Sequence, residues 1–133
     1  MTLEFKLIIL FAMIFCHIWE DYRNQGILAS MKQKTWWEAN APDSLYKNDY
    51  KMALFEHAFS WSFVMSLPLT IIAIHYQIVP LYFILLVLCA TNTLVHAYID
   101  DLKANKHKIN LIEDQTYHFI QILVTWIFGT IML

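Results

Sequence analysis

The residues best suited to chemistry in this chain are histidines and aspartates set four positions apart. Residues 96 to 118 read HAYIDDLKANKHKINLIEDQTYH, in which His96 and Asp100 close one apolar segment and Asp114 and His118 open the next. His17 and Asp21 repeat the spacing at the end of the first apolar segment, and His57 stands near the start of the second. On a helix, positions i and i+4 lie one above the other, so each pair aims two ligand-type side chains the same way. Imidazole with carboxylate, and no thiolate, suits zinc first, with manganese or iron as alternatives, over copper(I) or calcium. Seven donors exceed what one tetrahedral ion takes. They fit two divalent ions with an aspartate bridging them.

Two such ions against three aspartates leave a slight positive excess, which would hold a hydroxide or a phosphate oxygen. That is the electrostatic arrangement of a two-metal hydrolase. The expected activity is hydrolysis of a phospholipid or another lipid-linked phosphate. Glu20 and Glu113 adjoin Asp21 and Asp114 and are the candidate general bases; Glu56 and Asp101 also adjoin ligands. A sequence neighbour points about a quarter-turn away on a helix, so solvated charge at a helix end is the plainer reading of each one singly. His57 stays open between metal ligand and acid–base group. Gln25, Gln115 and Lys103 are candidates to bond the ligands and not the metal.

The elements that must position these residues follow from composition. The chain has 133 residues, 59% hydrophobic and 15% charged. Soluble domains carry about a quarter charged residues, and a bilayer-crossing helix needs about 20 predominantly apolar ones. The expected fold is therefore all-α: one integral membrane domain, 1–133, with four antiparallel transmembrane helices at about 3–22, 52–76, 80–101 and 111–133. The first loop, Arg23 to Lys51, contains Trp36 and Trp37 and is expected to lie partly in the membrane interface. Pro68 falls inside the second span, where a kink is expected, with Ser66 and Thr70 available to satisfy the backbone. A net charge of −2 argues against a nucleic-acid partner. Membrane lipid is the expected partner.

Alternating spans put the ends of the first and third beside the starts of the second and fourth. Those four ends carry all seven donors. The loops on that side hold Arg23, Lys32, Lys34, Lys47, Lys51, Lys103, Lys106 and Lys108, against Lys6 alone on the other. The excess of positive charge places the layer at the cytoplasmic face of a bacterial inner membrane, with both termini outside. Cys16 and Cys89 lie in different spans and read as packing residues.

At these residues the sequence resembles a family of small, uncharacterised multi-pass membrane proteins of bacteria and their phages, known as a domain of unknown function. His17, Asp21 and Gln25 match its His-x-x-x-Asp-x-x-x-Gln element, and His57 its lone histidine. His96, Asp100 and Lys103 match the third element, and Asp114, Gln115 and His118 the last. The first loop is longer here than in the family pattern. The resemblance implies that the polar set belongs together, and it brings no activity. Two other classes are therefore carried: a metal-ion or proton carrier or channel, which would call for a homo-oligomer, and a non-catalytic membrane protein whose polar layer locks the helices. Transport sites usually lie near the midplane, and small residues lock helices more cheaply than buried ions do.

Overall fold

The computed structural model describes residues 1–133, and its regular structure is entirely helical. Four long helices form the body: α1 (Leu3–Trp19), α4 (Tyr50–His75), α5 (Val79–Ala104) and α6 (Leu111–Thr130). Two short ones, α2 (Leu28–Met31) and α3 (Lys34–Asn40), lie in the long first loop. Local signals account for the ends. Thr2 caps α1 through the Phe5 N–H, and Pro80 sits in the first turn of α5, where a missing donor does no harm. Asn110 and Glu113 form a reciprocal capping box that starts α6 and fixes its phase. Pro68 lies inside an unbroken α4; the Ser66 and Thr70 hydroxyls donate to the Ser62 and Ser66 carbonyls, each four residues back.

The long helices pack in a ring, α1 on α4, α4 on α5, α5 on α6 and α6 on α1. A turn of three residues, with Gln77 at φ 54°, reverses the chain between α4 and α5. Lys6 Nζ donates to the Thr130 carbonyl and Trp126 Nε1 to the Lys6 carbonyl, both at 2.7 Å, so the start of α1 meets the end of α6. Gly129 lets α6 close on α4: a Cβ there would stand 2.6 Å from Leu69 Cδ1.

Polarity in this bundle is inverted. Polar side chains outnumber apolar ones among the buried residues, sixteen to thirteen, while Phe11, Phe15, Phe83, Leu86 and Leu94 are each more than 60% exposed. Water-facing surfaces seldom carry such continuous apolar area. Two helices, α4 with the turn before it and α5, are long and apolar enough to cross a membrane. The apolar core, which includes Ile9, Met13, Met65, Leu69, Leu81 and Ile122, fills the half of the bundle nearer the termini. The histidines and aspartates fill the other half, and the first loop folds across that end. Asn105 fastens it there, accepting from the Lys34 N–H at 2.7 Å and donating to the Lys32 carbonyl at 3.1 Å.

Candidate metal centre

Each helix delivers its share of the polar layer by a simple local device. At the end of α1 the backbone widens into a π-helical turn, Glu20–Asn24, and this turn buries two successive acids, Glu20 and Asp21. Single π turns of this kind occur frequently at functional sites. From α4 comes His57, with Trp61 one turn later on the same face; α5 supplies His96 and Asp100, and α6 supplies Asp114 and His118. All seven predicted ligands are buried, none more than 6% exposed.

Asp100 stands at the middle. Its Oδ2 lies 3.3 Å from His57 Nε2 and 3.8 Å from His96 Nε2, and its Oδ1 lies 3.7 Å from His118 Nε2. Around the first oxygen, His57 Nε2 also approaches His96 Nε2 at 3.2 Å and Asp21 Oδ1 at 3.5 Å. Around the second, His118 Nε2 is 3.8 Å from Asp114 Oδ1, while His118 Nδ1 is 3.8 Å from Asp21 Oδ2. Donors about 2.0 to 2.1 Å from a tetrahedral zinc ion stand about 3.3 Å apart, so these separations are close to those of a ligand set. Three overlapping trios each bring one ligand atom per residue to within 4.8 Å of one another: His17, Asp21 and His118; Asp21, His57 and His96; and His96, Asp100 and His118.

Unpartnered atoms mark the same place. Asp100 Oδ1, Asp114 Oδ1, both ring nitrogens of His118, and Nδ1 of His57 and His96 are buried without a hydrogen-bond partner. Buried polar atoms almost always have partners, and a concentration of bare acceptors and ring nitrogens is the donor set a divalent cation satisfies. The rings are held by stacking. Trp61 lies on His96 with centroids 4.2 Å apart, and His96 on His118 at 4.1 Å.

His17 differs from the other three histidines. Its Nδ1 accepts from Trp61 Nε1 at 2.8 Å and its Nε2 donates to Gln115 Oε1 at 3.0 Å, which engages both nitrogens of a neutral ring. Gln115 Nε2 in turn donates to Asp21 Oδ2 at 2.9 Å and Asp114 Oδ2 at 3.1 Å. Gln115 thus stands between His17 and two carboxylates and aims them. Gln25 turns back to donate to the Asp21 carbonyl, and Lys103 pairs with Asp114 Oδ2.

The two candidate bases lie to the side. Glu20 accepts from Ser60 and Asn24, and Glu113 from the Asn110 N–H in the capping box, so neither carboxylate touches the cluster. Glu56 and Asp101 also remain outside it, Asp101 pairing with Lys106 at 2.7 Å.

Two further members of the layer, Trp61 and Lys32, are neither histidine nor aspartate. Trp61 follows His57 by four residues, so the same helical spacing marks it. Lys32 carried no such signal: it belongs to a polar loop, yet its Nζ reaches Asp100 Oδ2 at 2.6 Å with the side chain 9% exposed. One turn deeper the polarity continues, with Asn92 donating to Thr125 Oγ1 at 2.7 Å and Gln121 donating to Asn92 Oδ1 at 3.2 Å.

Searched against protein-family models, curated proteins and solved structures, the chain matches none.

Proposed function

We propose that this protein is a membrane-embedded, metal-dependent hydrolase that cleaves a phosphate ester carried by a lipid. The observation that carries the reading is the division of Asp100: one oxygen faces His57 and His96, the other faces His118. A carboxylate with ligand-type nitrogens on both sides could hold a pair of divalent ions, with zinc the first expectation and manganese or iron the alternatives. Bound there, the ions would activate water and offset charge on the phosphate. The protein's own part is orientation: Gln115 fixes Asp21 and Asp114, and the Trp61–His96–His118 stack fixes two rings. Net hydrolysis consumes one water. A new P–O bond forms from the water oxygen, the P–O bond to the lipid breaks, and the lipid oxygen leaves with a proton.

The inverted polarity supports four membrane spans, with α1 lengthened by its π turn and α6 completing the ring. The basic loops then favour a centre at the cytoplasmic leaflet. Between enzyme and carrier, the packing favours the enzyme. Met13, Met65, Leu69, Leu81 and Ile122 are fully buried in the half beyond the site, and they fill the interior a polar pathway would need.

The test is elemental mass spectrometry of detergent-purified protein, followed by a phosphate-release screen over lipid phosphoesters. About two metal equivalents and a lipid substrate are expected. Metal-free, inactive protein that cannot be loaded would overturn the reading.

A further inference from the structure

Lys32 is the one buried cation brought to the centre by a loop and not by the bundle. Its ammonium has three donors and makes one hydrogen bond, to Asp100 Oδ2. The backbone around it is fastened: Asn105 holds the Lys32 carbonyl and the Lys34 N–H, and Trp37 Nε1 donates to the Met31 carbonyl at 2.7 Å. The ammonium is therefore set in place with two donors to spare, next to the Asp100 carboxylate. A lysine whose only task was to neutralise Asp100 would not need its backbone clamped on both sides.

Charge narrows the ligand. Asp21, Asp100 and Asp114 bring three negative charges, and Lys32 and Lys103 bring two positive ones. With two divalent ions the centre carries three positive charges, too many for a closed site without an anion. A doubly charged phosphate monoester and one hydroxide bring it to neutrality. A phosphodiester, with a single charge, leaves an excess.

We propose that Lys32 binds the terminal phosphate of a phosphate monoester, delivered by a loop that closes over the centre, and that monoesters are preferred to diesters. This rests on the hydrolase reading and goes further by assigning the substrate's phosphate class and the residue that holds it.

The test uses the full chain in detergent, with metal content measured on every sample. Inorganic phosphate is titrated calorimetrically into wild type, Lys32→Met and Lys32→Arg. Wild type is expected to bind, Lys32→Met to bind about ten- to a hundredfold more weakly at unchanged metal content, and Lys32→Arg to fall between. Micelles doped with phosphatidic acid, a monoester, and with a phosphodiester lipid form separate arms that distinguish a lipid-borne phosphate from the free ion. In case Lys32→Met does not fold, wild type is also labelled with an amine-reactive reagent, with and without phosphate, and phosphate is expected to protect Lys32. Phosphate affinity equal in wild type and Lys32→Met, no phosphate binding by wild type, no protection of Lys32, or no preference for the monoester overturns the inference. Failure of the hydrolase reading appears separately, as a wild type that takes up no metal.

Discussion

Trp61 donates its indole N–H to His17 Nδ1 at 2.8 Å, and this bond separates His17 from the other three histidines of the layer. With Nδ1 occupied, the proton of the neutral ring sits on Nε2 and points at Gln115. His118, two ring nitrogens bare, is the opposite case. Loss of His118 is therefore expected to abolish one metal equivalent, whereas His17→Ala keeps the stoichiometry and weakens affinity about 10- to 100-fold, as residues that orient ligands do. Metal titration against a chelator of known affinity reads both; equal losses in the two variants would refute the distinction.

Asp100 and Lys32 form a buried pair, so removing one partner leaves the other unpaired. Asp100→Asn is expected to lose metal and about 3–5 kcal/mol of stability. The double variant Asp100→Leu with Lys32→Met should regain most of the stability and none of the metal. Unfolding in detergent and metal content, measured on the same samples, separate the two effects.

Glu113 offers a clean discrimination between capping and catalysis. Its carboxylate accepts from the Asn110 N–H and completes the capping box. Glutamine can fill the same place in a capping box but cannot act as a base. Glu113→Gln is expected to leave phosphate release unchanged, and Glu113→Ala to cost about 1 kcal/mol of stability. A fall of about a hundredfold or more in rate for Glu113→Gln would return it to the role of general base.

Metal removal should loosen the whole end of the bundle. A centre that binds only the folded chain stabilises it by about 4 kcal/mol when free metal is about a thousand times its dissociation constant. Chelation is expected to lower the unfolding temperature, and re-addition to restore it. An unfolding temperature indifferent to chelator would show that the polar layer holds itself together without an ion.

Gly129 probes packing remote from the centre. A Cβ there meets the buried Leu69 side chain at 2.6 Å. Gly129→Leu is expected to destabilise by about 1–3 kcal/mol while metal stoichiometry stays the same, since the contact is in the apolar half. Coupled loss of metal would mean that the two halves do not behave independently.

Much of this was legible in the residues themselves. The apolar segments and their short connections dictate helices in alternating directions, because a backbone in an apolar setting must satisfy its own hydrogen bonds. The four-residue spacing then fixes which side chains share a face, and alternation brings His57 to the level of Asp21 and Asp100. These are local rules, and they hold before any packing is known. What the tertiary structure decided is which of those donors are free. Gln115 is set between His17 and Asp21 by bonds across 98 and 94 positions of chain, and Lys32 reaches Asp100 across 68. Spacing along a helix cannot anticipate a partner that arrives on a folded-back loop, because a lysine in a polar segment looks the same whether it stays in water or is pinned by Asn105 above a carboxylate.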